Sequence, residues 1–192
     1  MRKVETTESI KINGSPINNI RYADDTVLMA DSTQNLQQLL TSLQSESQKR
    51  GLTINKKKTK IMVLSTNTET PQSDIFLDGE KLEQTNQFDY LGSMVTSDCR
   101  CVREIKRRIA LAKKAFRKSK EKKAILADKK LNIVLRLRLL KCYVWSTLLY
   151  GCESWTMNSN CKQKLEAMEM WCYRRMMRIS WVKKISNKCV QK

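Results

Sequence analysis

The sequence contains no histidine among its 192 residues. An imidazole base and a histidine-ligated metal are therefore excluded from any active site in this chain. Cysteine is present seven times, which is an odd number, and the first residues do not resemble a signal peptide. This combination disfavours a secreted disulfide framework and predicts free thiols.

Long apolar runs are also absent. The longest candidate is interrupted by Arg136 and Arg138, and a membrane span needs about 18 or more apolar residues in succession. We therefore predict no transmembrane segment and no membrane partner, and we expect an intracellular protein of the nucleus or cytoplasm. The length is sufficient for one domain or two small ones.

Acidic residues are scarce in the second half of the chain, and the formal net charge is +18. Residues 1–99 contain 11 Lys/Arg and 13 Asp/Glu, whereas residues 100–192 contain 26 Lys/Arg and 6 Asp/Glu. A region this basic usually binds a polyanion such as nucleic acid, although a solvated helical face is the alternative. We favour polyanion binding by the second half.

The first half has the pattern of short strands around one helix. Residues 10–16 predict a strand followed by a turn at Ser15-Pro16, and two β-prone runs around Asp24-Asp25 predict a hairpin with both aspartates at its tip. A helix is expected to begin at Asp31 or Ser32 and to end at Gly51. Its apolar positions follow the i, i+3, i+4, i+7 rule: Leu36, Leu39, Leu40 and Leu43. Further strands are predicted at residues 60–65, 75–77 and 88–95, with a polar loop at 66–73.

The second half has the periodicity of three helices. The first has one apolar stripe, formed by Ile105, Ile109, Ala112 and Phe116. The second is predicted at about residues 128–150, ending before Gly151, with core candidates Leu131, Leu135, Leu139, Cys142 and Trp145. The third is predicted at about residues 161–181, with Leu165, Met168, Cys172, Met176 and Ile179 on one face. The fold class expected from this order is α+β, with antiparallel strands and a helix followed by a helical bundle.

Asp24 and Asp25 are the strongest candidates for chemistry. Adjacent carboxylates at a hairpin tip are more often turn formers than ligands. However, phosphoryl transfer needs carboxylates on a rigid support that hold two divalent ions about 3.5–4 Å apart. Magnesium suits such an oxygen-rich site, because it retains several of its waters.

Several segments, in order along the chain, resemble the reverse transcriptases of non-LTR (LINE-type) retrotransposons. Tyr22-Ala23-Asp24-Asp25 is similar to their YADD box, and residues 51–60 (GLTINKKKTK) resemble the next palm block. Residues 88–93 (FDYLGS) resemble the hairpin that grips the primer end. Three later segments are similar to the thumb and connection: 104–109 (EIKRRI), 149–155 (LYGCESW) and 171–175 (WCYRR).

The resemblance implies a palm portion at residues 1–98 and a basic helical thumb and connection at 99–192. It implies RNA-directed DNA synthesis with an RNA template, a DNA primer and dNTPs. Asp24 and Asp25 would be catalytic ligands of two Mg²⁺ ions, with Asp24 the firmer ligand, and Tyr22 would support the primer terminus. Lys58 would approach the triphosphate, although a solvated basic turn at residues 56–58 is the alternative. Leu91 and Gly92 would place backbone against the primer, although a simple strand bend is the alternative.

The chain departs from the family pattern in ways that lower its expected activity. Three parts of the family pattern are not recognised in this chain. They are an earlier strand that carries the third catalytic carboxylate, the glycine-rich block that lines the template, and the fingers. Cys99 stands where the family usually has a glycine. We therefore expect a fragment of the polymerase that is inactive alone. The alternatives are a non-catalytic nucleic-acid-binding module and a relic that does not fold.

The first helix predicted in the second half is strongly basic. Its apolar stripe takes one face for packing, so most of its cations are expected to point outward and to contact phosphates rather than bases. The candidate nucleic-acid-binding residues are Arg103, Lys106, Arg107, Lys113, Lys114, Arg117 and Lys118.

Overall fold

A computed structural model describes residues 10–65, 71–117 and 125–190 of the chain. The described residues form two compact units, Met1–Phe88 and Asp89–Lys192. Short strands prevail in the first unit and helices in the second, so the predicted α+β fold is confirmed. Among the described residues no helix has the length and apolarity that crossing a bilayer requires.

The strands of the first unit form four separate two-stranded sheets. β1 (Ile10–Ile12) pairs with β2 (Ser15–Ile17), and β3 (Asn19–Tyr22) pairs with β4 (Asp25–Leu28), both antiparallel. Farther along, β5 (Lys60–Ile61) pairs in parallel with β8 (Glu83–Gln84), and β6 (Phe76–Leu77) pairs antiparallel with β7 (Glu80–Lys81).

Helix α1 (Thr33–Gln48) has the caps that the sequence predicts. The hydroxyl of Ser32 accepts a hydrogen bond from the Asn35 N–H at 3.2 Å, which identifies Ser32 as the N-cap. At the other end, the Leu52 N–H donates to the Ser47 carbonyl and the Gly51 N–H donates to the Gln48 carbonyl. These two bonds, with a φ of +70° at Gly51, are the Schellman arrangement that glycine adopts without a steric cost.

The core of the first unit forms between α1 and the short strands. Its buried members are Leu40, Ile61, Ile75, Leu77 and Leu82. Leu36, predicted to lie on the buried face of α1, packs against this cluster. Leu39 is also buried. Two of the four positions predicted for the stripe of α1, Leu36 and Leu40, therefore lie in or against this core.

Two local predictions for the first unit are wrong. The turn lies at Asn13-Gly14 and not at Ser15-Pro16, because both turn residues adopt positive φ and Pro16 is tolerated in a strand of a two-stranded sheet. The strand predicted at residues 60–65 stops at Ile61, because its partner β8 has only two residues. The loop predicted at 66–73 lies partly outside the described residues.

The second unit begins within a hairpin and continues as helices. β9 (Gln87–Tyr90) pairs with β10 (Ser93–Thr96), and α2 (Val102–Arg117) follows. α3 (Ile133–Leu140) continues through a π-helical turn (Lys141–Trp145) and one more helical turn (Ser146–Leu148). A 3₁₀ turn (Cys152–Ser154), α4 (Ser159–Met176), a 3₁₀ turn (Trp181–Lys183) and α5 (Asn187–Val190) complete it.

The core of the second unit joins α2, α3 and α4. Its buried members are Ala112, Phe116, Leu126, Leu140, Val144, Leu148, Met168 and Cys172. Ile109 packs against this cluster and Ile105 is fully buried, so the stripe predicted for α2 is confirmed. Burial raises the pKa of the Cys172 thiol to about 12, which keeps it protonated at neutral pH. All seven cysteines are free thiols, as predicted.

The buried face of α3 agrees with the predicted one only in part: Leu139 and Trp145 pack against the core of the second unit as predicted. Arg136, Leu140, Val144 and Leu148 are buried, with a constant spacing of four residues. In contrast, Leu135 is 45% exposed and Cys142 is exposed. The π-helical turn follows Leu140, so it changes the phase of the stripe only at later positions such as Cys142. Arg136 was not predicted as a core position because arginine is rarely buried without a partner. Here its guanidinium donates to the Met176 carbonyl at 3.0 Å.

Helix α4 ends earlier than predicted. Arg178 has a φ of +56°, and the Ile179 N–H donates back to the Arg174 carbonyl. This arrangement closes the helix with a left-handed residue that is not glycine, so Ile179 lies beyond the helix. Met168, Cys172 and Met176 are buried as predicted.

Cys99, between β10 and α2, occupies a backbone conformation that favours glycine. Its φ is +54°, and its N–H closes a turn on the Thr96 carbonyl at 3.0 Å. A residue with a Cβ pays a steric cost in this region of about 1–2 kcal/mol. The turn therefore forms with Cys99 in place of the glycine that the family usually has, and the backbone is strained there.

The phase of α3 is testable by a matched pair of truncations. Leu140→Ala should lower the free energy of unfolding by about 2–5 kcal/mol, because it opens a cavity beside Val144 and Phe116. Leu135→Ala removes the same atoms from an exposed position and should cost less than about 1 kcal/mol. Chemical denaturation followed by circular dichroism measures both. Equal losses for the two variants would contradict the observed phase.

Candidate functional site

The hairpin that carries Asp24 and Asp25 has a tight two-residue connection. In the β3–β4 register Arg21 faces Thr26 and Tyr22 faces Asp25. The connection is therefore Ala23-Asp24, and Ala23 has a φ of +51°. The predicted hairpin is present, but only Asp24 is at the tip; Asp25 is the first residue of β4.

The tip of this hairpin is exposed while its base is anchored. The side chains of Asp24 and Asp25 are exposed, and Tyr22 is 65% exposed. At the other end Leu28 packs against the core of the first unit, and the Met29 N–H donates to the Asn18 carbonyl at 2.8 Å. The hairpin therefore presents two carboxylates to solvent on a support that the core holds.

The donor set at this tip fits one magnesium ion better than two. Two carboxylates can hold a Mg²⁺ that retains most of its waters. A site for two ions needs further oxygen ligands that bridge them. Within residues 10–65, 71–117 and 125–190 there is no group of three or more His, Cys, Asp or Glu residues that could hold a metal ion.

The lysines that follow α1 differ in their surroundings. The Lys56 ammonium lies 3.1 Å from Glu80 and 3.6 Å from Asp78, and its hydrogen bond to Glu80 raises its pKa. Lys58 has an exposed side chain, while its backbone N–H donates to the Asn55 carbonyl at 3.1 Å. Lys58 is therefore accessible to an anion, whereas Lys56 already has two acidic partners.

The second candidate turn, Leu91-Gly92, connects β9 and β10. Both residues have positive φ, +47° and +76°, as a two-residue turn of the kind that suits a twisted hairpin requires. A Cβ at Gly92 would meet the Tyr150 ring only at 3.5 Å. The backbone conformation, rather than lack of space, therefore favours glycine here.

The carbonyl oxygens of this turn are bound by side chains of the second unit. The Tyr150 hydroxyl donates to the Leu91 carbonyl at 2.9 Å. The Gly92 carbonyl accepts from the guanidinium of Arg108 and, at 3.2 Å, from that of Arg107. The Arg108 guanidinium also stacks over the Tyr150 ring at 4.5 Å.

A buried carboxylate orients both arginines. Glu104 is 3% exposed, and its Oε1 accepts from Arg108 Nε at 2.6 Å. Its Oε2 accepts from the Met94 N–H at 3.1 Å and lies 3.6 Å from Arg107. Arg107 is further paired with Asp89 at 3.2 Å. We call Glu104, Arg107, Arg108 and Tyr150 the turn clamp.

Most of the turn clamp was not predicted from the sequence. Arg107 was expected to bind nucleic acid, but its side chain contacts Asp89, Glu104 and the Gly92 carbonyl. The one local signal was the i, i+4 spacing of Glu104 and Arg108, which allows an ion pair on a helix. Burial of that pair and the contacts with Tyr150 depend on tertiary packing.

The remaining cations of α2 are more accessible. Arg103, Lys106, Lys114 and Arg117 are exposed, and Lys113 is half-buried. Lys118 lies outside the described residues. The helix therefore offers exposed positive charge along most of its length.

Removal of the clamp's carboxylate charge is a direct test of its role. Glu104→Gln leaves Arg108 buried without a counter-ion and should lower the free energy of unfolding by about 3 kcal/mol. Glu166→Gln makes the same chemical change at an exposed position of α4 and should change it by less than about 0.5 kcal/mol. Urea denaturation of both variants decides between these expectations. A Glu104→Gln variant as stable as the control would contradict the role of the clamp.

Comparisons with known proteins support a resemblance to reverse transcriptases over part of the chain. Residues 5–95 match the family described as reverse transcriptase (RNA-dependent DNA polymerase). Over 175 residues the chain is 29% identical to an uncharacterized transposon-derived protein of Caenorhabditis elegans. That similarity covers 89% of this chain and 60% of the relative, so the chain spans less than two thirds of the relative's length.

No solved structure matches this chain. The match to the reverse transcriptase family includes the hairpin of Asp24 and Asp25 and the turn at Leu91-Gly92, and it ends before α2. The chain is thus similar to reverse transcriptases over its first half and to a transposon-derived protein over most of its length.

Proposed function

We propose that this chain is part of the RNA-directed DNA polymerase of a non-LTR (LINE-type) retrotransposon. The observation that carries the proposal is the YADD hairpin, which lies inside the matched region and presents both carboxylates to solvent. The family match supports nucleotidyl transfer with a divalent metal, and the similarity to a transposon-derived protein supports a mobile element as the source.

In this proposal Asp24 and Asp25 are the metal ligands of the polymerase. Magnesium bound there would lower the charge on the reacting phosphate and favour attack by the primer 3′-hydroxyl. Tyr22 would support the primer terminus beside Asp25, its partner in the β3–β4 register. Lys58, with its exposed ammonium, would neutralise the triphosphate.

The two parts of the chain would have different roles in the polymerase. Residues 1–98 would be part of the palm and residues 99–192 would be the thumb and connection, with the Leu91-Gly92 turn against the primer. The turn clamp bonds the two carbonyl oxygens of that turn. A primer would therefore meet a turn of fixed shape rather than a mobile loop.

We propose further that the chain does not synthesise DNA by itself. Within the described residues the carboxylates of Asp24 and Asp25 have no third acidic residue grouped with them. Two carboxylates hold one hydrated ion, whereas the reaction uses two ions in defined positions. Activity would then require a carboxylate supplied outside the described residues or by another chain.

Metal binding at the hairpin tests the proposal without requiring catalysis. Millimolar Mn²⁺ should broaden the amide NMR signals of residues 22–26 before others, and Asp24→Asn should weaken this effect about tenfold or more. Asp31→Asn is the control, because Asp31 is also exposed but lies beyond the other end of β4. Equal broadening in both variants would remove the metal assignment.

The expected inactivity of the chain is tested by a primer-extension assay with Mg²⁺, in which we expect no product. Product that Asp24→Asn abolishes would show that the chain is active alone.

A second candidate function is a non-catalytic grip on nucleic acid, which the exposed cations of α2 favour. With about six phosphates neutralised, log K for an RNA/DNA duplex should fall against log salt with a slope of roughly −5. Substituting Arg103, Lys106 and Lys114 by glutamine should reduce the magnitude of the slope by up to about 3.

The matched control for that titration removes three cations from the first unit. Lys11, Lys49 and Lys81 are exposed there, and their replacement by glutamine changes the net charge equally. The control should retain the wild-type slope. A wild-type slope near zero would mean that the exposed cations are only solvated and would exclude the grip.

A further inference from the structure

Trp171, on α4, has three cations around its indole ring. Lys113 Nζ lies 5.7 Å from the ring centroid, Arg117 Cζ lies 5.6 Å from it, and Arg175 Cζ lies 5.1 Å from it. The first two residues are on α2 and the third is in the last turn of α4. We call these four residues the Trp171 platform.

The platform concentrates positive charge. Because all three cations lie within about 6 Å of one centroid, no two of them are farther apart than about twice that distance. Lys113 and Arg117 are also one helical turn apart, where like charges repel. In the part of the chain that the structure describes, none of the three forms an ion pair.

The indole holds these cations in place. The Trp171 ring meets the Phe116 ring edge-to-face, with centroids 5.2 Å apart and planes at 68°. Phe116 is a buried member of the core of the second unit, so the indole is fixed to that core. The quadrupole of the indole attracts each cation, and this attraction offsets the mutual repulsion of the three.

This arrangement favours phosphate over a base as the ligand. A base would need a free indole face on which to stack, but cations already approach the ring and Phe116 contacts its edge. Guanidinium groups are suited to phosphate oxygens, which they bind in a bidentate manner. Lys113 and Arg117 also line an open depression together with Ala110 and Lys114, so both can be approached from solvent.

We propose that Lys113, Arg117 and Arg175, held on Trp171, form a binding site for the phosphodiester backbone of nucleic acid. The site rests on the proposed grip of the second unit and assigns it a defined centre across α2 and α4. The reverse transcriptase match ends at residue 95 and so includes none of the platform residues. The reverse transcriptase match of the first half favours nucleic acid over an anionic membrane as the ligand, and vesicle binding is measured below as the alternative.

The test compares two triple variants of the whole chain. The platform variant replaces Lys113, Arg117 and Arg175 by glutamine. The control variant makes the same replacement at Lys129, Lys130 and Lys162, which are exposed cations of the same unit. Fluorescence anisotropy with a labelled 20-base-pair RNA/DNA duplex gives the affinity and its salt slope. Thermal melting checks that both variants are folded at the temperature of the binding measurement.

The platform variant should bind the duplex about tenfold to a hundredfold more weakly than wild type at about 0.1 M salt, with a slope smaller in magnitude by about 2–3. The control variant should lose less than about threefold. If the wild type binds the duplex and both variants lose the same amount of affinity, the platform is not the binding site. The second unit would then still bind nucleic acid through its other cations. Absence of wild-type binding would overturn the grip as well.

Two further measurements distinguish the other possible ligands. Trp171→Leu keeps all three cations and should weaken binding less than the platform variant does; a larger loss would show base stacking on the indole and overturn the phosphate assignment. Vesicles that contain phosphatidylserine provide the lipid comparison. If the platform variant loses vesicle binding while duplex binding is unchanged, the platform binds lipid headgroups and the proposal is wrong.

Discussion

The second unit depends on the burial of one ion pair, Glu104 with Arg108. Two charges removed from water cost several kcal/mol unless their remaining hydrogen-bonding groups are also satisfied. Here the carboxylate accepts from the Met94 N–H as well as from Arg108, and the guanidinium continues to the Gly92 carbonyl and the Tyr150 ring. The pair is therefore tolerable only while α2, the β9–β10 hairpin and Tyr150 are all in place. The position of the Leu91-Gly92 turn therefore depends on the packing of the whole second unit.

The distribution of cations shows why net charge alone overstates a binding surface. Arg107 and Arg108 belong to the turn clamp, and the guanidinium of Arg136 is buried against the Met176 carbonyl. Arg174 donates to the Ile185 carbonyl and to Asn187, and so ties the end of α4 to the segment after it. These arginines stabilise backbone that would otherwise lack partners. The exposed cations that remain for a partner include those on α2 and those of the Trp171 platform.

Much of the fold follows from local patterns in the sequence. The Asp24-Asp25 hairpin, the caps and apolar face of α1 and the stripe of α2 were predicted, because turn residues and helical periodicity act over a few positions. The phase of α3 and the end of α4 were not predicted. A π-helical turn and a left-handed Arg178 have no strong local signal. The turn clamp was missed for a related reason, since Tyr150 and Leu91 are 59 residues apart in sequence.

The register of the β3–β4 hairpin gives the two carboxylates different mechanical support. Asp25 is paired with Tyr22, so its side chain leaves the strand on the same face as the tyrosine and in a direction set by the sheet. Asp24 lies in the connection, next to Ala23 with its positive φ, and no ladder fixes its direction. A non-glycine residue in that conformation stores strain of about 1–2 kcal/mol, which the flanking strands must offset. The family resemblance makes Asp24 the firmer ligand, whereas the local backbone makes Asp25 the more rigid one. A metal bound between them would supply the constraint that Asp24 lacks, and the tip would then be ordered by its ligand rather than by its own hydrogen bonds.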